Sequence, residues 1–258
     1  MRIKWYGTAS LLIEGGDTRI LIDPYLKGFN PKLPQLPIEE AKTASAIFIT
    51  HPHLDHFSDI ATFTEAGIYP VYVSQNGIEH AAKHGVLTDA MLAIEPNMSF
   101  YVGDIHVRIF QSRHCVFDAA TICSVLFSPR TYAHAKTAVR LLKQMRGYQI
   151  DDDIYAFEFS HGGKKIMVLG SAGMDENTEY PDGADLFVFP YQGRSKMHRH
   201  MESFLEEFQP KAVMIDHFDD AFPPLTRSVK IKYFVPTVKK HLPEARAIVP
   251  VEGEWYDV

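Results

Sequence analysis

Residues 47–59 read IFITHPHLDHFSD, and this stretch decides both the predicted fold and the predicted chemistry of the chain. Its first four residues are apolar or β-favouring, which predicts a short buried strand. Three histidines and one aspartate follow within six positions: His51, His53, Asp55 and His56. Because alternate side chains of an extended segment share one side, His51 and His53 can converge on one ion.

Imidazole and carboxylate groups at this density suit zinc or a similar divalent cation. A polar turn rich in histidine is the alternative, and it would be the better explanation for a single histidine. Three histidines and an aspartate in the order H-x-H-x-D-H at the end of a strand favour a metal site instead. Ser58 or Asp59 is the predicted N-cap of a helix over 58–66. A helix N-terminus disfavours a protonated imidazole, which helps to keep His56 neutral and able to bind metal.

The composition is that of an ordinary globular domain. Of 258 residues, 46% are hydrophobic and 22% charged, and the net charge of −6 argues against a broad nucleic-acid-binding face. No apolar run approaches the ~20 residues of a membrane span, and the first residues lack the pattern of a signal peptide. Cys115 and Cys123 are too few for a disulfide framework. These features predict a cytoplasmic protein with a small-molecule partner and no nucleic-acid or membrane partner; they do not decide the oligomeric state.

Strands and helices alternate in a similar way in each half of the chain. Both halves begin with strands joined in hairpins. In the first half, an irregular stretch over 24–37 follows the third predicted strand. Predicted strands lie at 2–6, 9–14, 18–23, 47–50, 70–74, 91–94, 98–102, 105–111, 121–127, 154–160, 164–169, 185–189, 211–215, 246–250 and 254–257. Predicted helices lie at 58–66, 76–84, 131–147, 195–208 and 227–241. This order predicts one domain over 1–258 of the α+β class: a four-layer αβ/βα sandwich, with two sheets face to face and helices outside.

The predicted helix over 131–147 differs from its surroundings. Apolar residues recur in it at helical spacing, cationic residues occupy the remaining positions, and Gly147 ends it. Such a helix is usually an ordinary solvated helix. The alternative is a helical cap, inserted at 129–150, that covers an active site.

Two further histidines follow predicted strands, where additional metal ligands are expected. His114 comes after strand 105–111 in IFQSRHC, and His217 comes after strand 211–215 in VMIDHFDD. With these residues the pattern resembles the metallo-β-lactamase fold superfamily of hydrolases, over nearly the whole chain. The resemblance rests on the ILIDP strand with Asp23, the THPHLDH motif, His114, the hairpin before VLGSAG, and His217. The start of the chain and its length are most similar to the stand-alone hydrolases related to ascorbate-6-phosphate lactonase.

The resemblance implies two metal sites. The first would consist of His51, His53 and His114, and the second of Asp55, His56 and His217. Many members of the superfamily also carry an aspartate after the second-half hairpin that bridges both metals. Ser171 stands at that position here, and a neutral hydroxyl should weaken binding of the second metal. Asp175, four residues further on, is a candidate replacement.

The resemblance and the ligand chemistry together predict a metal-dependent hydrolase that uses a metal-bound hydroxide on a small ester, lactone or phosphate-containing metabolite. One or two divalent ions are expected, zinc first and manganese second, with Asp55 as the catalytic residue that holds the second metal. Arg194 precedes a predicted helix and is the predicted contact for an anionic substrate. A nuclease or cyclic-nucleotide phosphodiesterase of the same fold, or a metal-binding protein without hydrolytic activity, are the alternatives.

Overall fold

A computed structural model describes residues 1–26, 36–148 and 153–258. The strands of this part are β1 (Arg2–Trp5), β2 (Leu11–Gly15), β3 (Thr18–Ile22), β4 (Ala46–Phe48), β5 (Val71–Val73), β6 (Met91–Ala93), β7 (Ser99–Val102), β8 (Ile105–Gln111), β9 (Tyr155–His161), β10 (Lys164–Leu169), β11 (Leu186–Pro190), β12 (Ala212–Asp216), β13 (Arg246–Ile248) and β14 (Trp255–Asp257). The helices are α1 (Ile38–Ala41), α2 (Leu54–Phe57), α3 (Ile60–Glu65), α4 (Gln75–Lys83), α5 (Ala119–Leu126), α6 (Pro129–Ala133), α7 (Ala135–Gly147), α8 (Met197–Phe208) and α9 (Phe234–His241).

The strands form two seven-stranded sheets. The first has the order β14-β1-β2-β3-β4-β5-β6, and the second has the order β13-β12-β11-β10-β9-β8-β7. Each sheet is antiparallel on one side and parallel on the other, because β3 to β6 and β10 to β13 run in the same direction. Parallel neighbours need a crossover connection, which is usually a helix. The helices after β4, β5 and β11 meet this need in both halves.

Three apolar clusters hold the layers together. The largest lies between the sheets, where Phe48 of the first sheet packs edge-on against Phe157 of the second with ring centroids 5.4 Å apart. A second cluster joins the outer face of the second sheet to α8 and α9, and a third joins the outer face of the first sheet to α2, α3 and α4. The order helix, sheet, sheet, helix confirms the predicted four-layer sandwich of the α+β class.

The strand predicted over 121–127 is wrong. This segment is helix α5, and Asp118 caps its start by accepting a hydrogen bond from Thr121 N at 2.8 Å. A short apolar run has no period that separates a strand from a helix, so the flanking cap decides. None of the residues of α5 is buried, and its sequence accordingly lacks the one-sided apolar pattern that a packed helix shows.

Other helices begin or break at positions that the pattern did not indicate. The helix predicted over 58–66 starts earlier, as α2 followed by α3, and His56 lies inside α2. Asp59 precedes α3 but makes no capping bond; its carboxylate accepts a hydrogen bond from Leu26 N at 2.7 Å. The helix predicted over 131–147 ends at Gly147 as expected but breaks at His134, and the helix predicted over 227–241 begins only at Phe234. Most of the irregular stretch 24–37 and the end of the cap insertion lie outside the described residues.

The strand ends that carry the predicted ligands meet at one edge of the sandwich. Thr50, which follows β4, accepts a hydrogen bond from Tyr155 N of the second sheet at 2.9 Å. Gly170, at the end of β10, is required there, because a Cβ atom on it would lie 2.5 Å from Thr50 Cβ. The two sheets therefore lie in close contact beside the THPHLDH motif, and residues from both can face one cavity.

Candidate metal centre

His51, His53 and His114 form the first group of metal-binding side chains. One ring nitrogen from each lies within 4.8 Å of the others. The ring centroids are 4.4 Å apart for His51 and His53 and 4.9 Å apart for His53 and His114. The extended segment after β4 supplies two of these imidazoles, and the segment after β8 supplies the third. Three imidazoles that converge in this way match the protein ligands of a zinc site with one open position.

Asp55, His56 and His217 form the second group, again with ligand atoms within 4.8 Å of one another. His217 Nε2 lies 3.1 Å from Asp55 Oδ2. The two groups are adjacent, because the ring centroids of His51 and His56 are only 4.0 Å apart. The structure thus places all six predicted ligands in two neighbouring sets of three, as a dinuclear centre requires.

Hydrogen bonds to the other ring nitrogen fix the orientation of His51, His56, His114 and His217. Nδ1 of His56 is 2.7 Å from Asp23 Oδ2, and Nδ1 of His217 is 2.7 Å from Gln192 Oε1. In the first group, Nδ1 of His114 faces the Cys115 carbonyl at 2.9 Å, and Nδ1 of His51 faces Thr50 Oγ1 at 3.0 Å. An Nδ1–H that donates to an oxygen leaves Nε2 free to coordinate. This donor set therefore fits divalent metal ions.

Asp23 is the supporting residue that sequence reasoning did not assign to the site. It is 1% exposed, and its backbone adopts a positive φ of 43°. Besides His56, its carboxylate accepts hydrogen bonds from Thr50 N at 2.7 Å and from Thr50 Oγ1 at 2.5 Å. The one signal in the sequence was its place at the end of the ILIDP strand. In the structure this strand, β3, pairs with β4, which precedes the THPHLDH motif. Gln192, the partner of His217, had no signal of its own.

Burial and neighbouring imidazoles favour the neutral forms of His51 and His114, because they lower the pKa of each ring. Burial is the main cause that lowers the pKa of His51, and the rings of His56 and His53 lower it further. Burial also lowers the pKa of His114, against the opposing effect of its hydrogen bond to the Cys115 carbonyl. Neutral imidazole is the form that binds metal.

The second group has the opposite electrostatics. Burial disfavours protonated His217, but the hydrogen bond and charge of Asp55, together with Asp216, outweigh it and raise the pKa of His217 to about 9. Burial disfavours ionised Asp55, but His56 and His217 hold the pKa of that carboxyl well below its usual range. In the metal-free protein these shifts favour an imidazolium–carboxylate pair of His217 and Asp55 below about pH 9.

We predict that the two sites differ in the pH dependence of metal binding. Below pH 9, a metal at the second site must displace the proton of His217, so the affinity should rise about tenfold per pH unit between pH 7 and 9. The first site should change little there, because the pKa values of His51 and His114 lie below their usual value. Competition of the metal-free protein with a chromophoric chelator for Zn²⁺ at several pH values measures both affinities. Equal pH dependence at both sites would contradict the assignment.

Ser171 and Asp175 have different positions relative to the cavity. Ser171 lines it, and its Oγ accepts a hydrogen bond from Cys115 N at 3.0 Å. Asp175 is held elsewhere: its Oδ1 lies 2.7 Å from Arg113 Nη2, and its Oδ2 accepts a hydrogen bond from Thr178 Oγ1 at 3.1 Å. The structure therefore does not bring Asp175 to the metal groups as a substitute for a bridging carboxylate.

A cavity of about 320 Å³ contains both metal groups. Its walls are largely apolar and come from several elements, including Leu54, Phe117, Met145, Tyr148 and Phe222. Met145 and Tyr148 belong to the end of the predicted cap region, so part of that region does reach the cavity. That the cap insertion closes over a substrate stays a prediction.

Arg194, the predicted substrate ligand, does not line this cavity. It lines a neighbouring depression, together with Lys196, Arg199, Lys230 and Lys232. The preceding residues of the same loop, Gln192 and Gly193, do line the metal cavity. A role of Arg194 in substrate binding stays a prediction, and it would require a substrate that extends past Gly193.

Comparison with known proteins identifies the family and supports the fold. The family model described as the Beta-lactamase superfamily domain matches residues 18–213. The chain belongs to this family. A relative from Pyrobaculum islandicum, named UPF0173 metal-dependent hydrolase, is 26% identical over 148 residues. That match spans 56% of this chain and 64%, less than two thirds, of the relative.

Solved structures share the fold of this Beta-lactamase superfamily member. Igni18, described as a metallo hydrolase from Ignicoccus hospitalis, superposes with a TM-score of 0.63 at 14% identity, covering 100% of this chain and 98% of that one. Zn²⁺-bound PqqB from Methylobacterium extorquens superposes with a TM-score of 0.59 at 15% identity, covering 96% of this chain and 87% of that one. At such identities these likenesses show the fold alone.

Proposed function

We propose that this chain is a metal-dependent hydrolase with a dinuclear centre, acting on a small ester, lactone or phosphate-containing molecule. The observation that carries the proposal is the pair of adjacent groups, each with three donor atoms within 4.8 Å of one another. Five imidazoles and one carboxylate are the donors that zinc prefers, so zinc is the proposed metal and manganese the second choice. The Zn²⁺-bound state of PqqB, a protein of the same fold, supports this choice.

Divalent ions held there would act as Lewis acids on the scissile carbonyl or phosphoryl oxygen and would lower the pKa of bound water toward neutrality. The chain's own residues would hold the ions and surround the reacting atoms. Asp55 supplies the only anionic donor of the six ligands, so it balances part of the positive charge at the second site. The apolar walls from Phe117, Met145, Tyr148 and Phe222 lower the local polarity, which strengthens electrostatic interactions inside the cavity.

Ser171 provides a test of how the second site is held. We predict that Ser171→Asp raises the affinity for the second metal about tenfold or more, because it adds an anion beside two groups that together contain a single carboxylate. Isothermal titration of the metal-free variant measures this effect, and Ser171→Asn, of similar size but neutral, is the control. A tighter second site in both variants would assign the gain to packing rather than charge.

The proposed function is tested by metal analysis combined with an activity panel. Protein purified with and without added zinc or manganese is analysed for metal content and assayed on phosphodiesters, phosphomonoesters, esters and lactones. We expect about two ions per chain and turnover of one substrate class, lost on chelation and restored by metal. A metal-loaded protein inert on every class would contradict hydrolase function and favour a binding role. Cleavage of a labelled oligonucleotide would instead favour the nuclease alternative.

A further inference from the structure

The helices beside the cavity mouth expose an unusual amount of apolar surface. The described residues include 19 large hydrophobic side chains classed as exposed, and ten of them lie between residues 116 and 145. These ten are Val116, Phe117, Ile122, Val125, Leu126, Phe127, Tyr132, Val139, Leu142 and Met145. We call them and the intervening cationic residues of α5–α7 the cap surface. An exposed apolar area of this kind marks an interaction site.

Helix α5 shows most clearly that the described residues do not bury the apolar side chains of this surface. A helix of a globular protein normally buries one apolar stripe against the core. No residue of α5 is buried, although Ile122, Val125 and Leu126 lie on it, and only Leu141 is buried in α7. Phe127, directly after α5, is 71% exposed. Something outside the described part of the chain is therefore expected to cover these side chains.

The charge of the same segment identifies the kind of partner. Residues 119–148 contain five cationic side chains and no Asp or Glu: Arg130, Lys136, Arg140, Lys143 and Arg146. The rest of the chain then has 21 of the 26 Lys and Arg against all 32 Asp and Glu, a net charge of −11. Lys136, Lys143 and Arg146 are exposed on α7, next to the exposed Val139 and Leu142. The cap surface is both apolar and positively charged, whereas the rest of the chain has a net negative charge.

A second copy of the chain is a poor occupant of such a surface. A two-fold interface places the same patch of both subunits against each other. The five cations of one copy would then face the five cations of the other, and like charges across an interface oppose association. An anionic lipid bilayer instead offers acyl chains to the apolar residues and negative headgroups to the cations.

We propose that the cap surface docks on an anionic lipid bilayer, lying in the interface rather than crossing it. In the described part of the chain, none of the helices is long and apolar enough to span a membrane. The sequence predicts no membrane partner because no apolar run is long enough to span a bilayer. That criterion does not apply to a protein that docks on the bilayer surface. Phe117 of this surface and Met145 at its edge also line the metal cavity, so docking turns the cavity mouth toward the lipid. The docking requires no hydrolase activity.

Co-sedimentation with vesicles tests the proposal independently of turnover. The metal-loaded protein is mixed with vesicles of phosphatidylcholine alone and with vesicles that also contain phosphatidylglycerol. We expect it to sediment with the anionic vesicles, at least tenfold more than with the neutral ones, and to be released by salt. Equal partition into both, or none into either, would overturn the proposal.

Matched variants separate the cap surface from general electrostatics. Lys143→Glu with Arg146→Glu should lower partition into anionic vesicles at least tenfold, since each cation near such a surface is worth about fivefold in binding. Lys230→Glu with Lys232→Glu makes the same charge change at exposed positions outside the cap surface and should have a much smaller effect. Equal losses would overturn the proposal.

The apolar part of the surface has its own variant. Ile122→Ser with Phe127→Ser changes exposed side chains, so the metal content should be retained while vesicle binding falls about tenfold or more. Light scattering over a range of protein concentrations tests whether a second copy of the chain, rather than lipid, covers the cap surface. A stable dimer that these serine substitutions dissociate would assign the cap surface to a second copy and overturn lipid docking.

Discussion

Replacing Asp55 by asparagine is expected to abolish most turnover and to remove the second metal. Asp55 is the only anionic donor among the six ligands, and Ser171 supplies no second one. An asparagine keeps the shape of the side chain but leaves a divalent ion facing two neutral imidazoles. The loss of several kcal/mol of charge stabilisation corresponds to a decrease in kcat on the order of 10³.

Metal analysis of Asp55→Asn measures this effect even before a substrate is known. We expect the metal content to fall from about two ions per chain to about one, because His51, His53 and His114 form their own group. Glu65→Gln, which neutralises an exposed carboxylate on α3 of the same segment, is the control and should retain both ions. A purified Asp55→Asn protein with two ions and full turnover would refute the role assigned to Asp55.

The ligands could be predicted from the sequence because each lies close to a recognisable strand end. The strand over 46–48 is buried, and extended backbone after it directs His51 and His53 toward one point, which is a local property of the chain. His114 and His217 follow β8 and β12, whose apolar runs are also local signals. The four-layer fold then follows from packing two such halves, so the grouping of the six candidate ligands was accessible from pattern and resemblance.

The parts that could not be predicted depend on contacts between distant segments. The hydrogen bond between Asp23 and His56 joins residues 33 positions apart, and the one between Gln192 and His217 joins residues 25 positions apart. The depression that contains Arg194 is completed by residues around 230, so the sequence near Arg194 did not show which cavity it faces. Helix α5 was mistaken for a strand because its apolar residues face outward rather than following a buried stripe.

Substitution of Asp23 therefore tests most directly how contacts between distant segments contribute to stability and metal binding. Its two carboxylate oxygens accept three hydrogen bonds: Oδ1 accepts from Thr50 N, and Oδ2 accepts from Thr50 Oγ1 and from His56 Nδ1. Asp23→Ala removes both acceptor oxygens, and with them all three hydrogen bonds, from a buried position. We expect this variant to lose about 4 kcal/mol in free energy of unfolding, since each unpaired buried donor costs about 1–3 kcal/mol.

Asp23→Asn distinguishes metal binding from stability. Asparagine tolerates the positive φ of position 23 and still offers one oxygen to Thr50 N, so the fold should be retained at a smaller cost of about 1–2 kcal/mol. Its amide group, however, places N–H donors where Oδ2 stood. His56 Nδ1 can then pair only as an acceptor, which puts the proton on Nε2, the atom that must coordinate metal.

We expect Asp23→Asn to lower the affinity of the second site for zinc about 10- to 100-fold while the first site is unchanged, as for other residues that orient metal-bound histidines. Zinc titration of the metal-free variant and thermal unfolding measure the two effects separately. Asp17→Asn, in the turn between β2 and β3, neutralises an exposed carboxylate near Asp23 in sequence and serves as the control. If Asp23→Asn bound two zinc ions with unchanged affinity, the hydrogen bond to His56 would be structural only. A selective loss of zinc affinity at the second site would instead show that Asp23, directly after β3, sets the tautomer of His56.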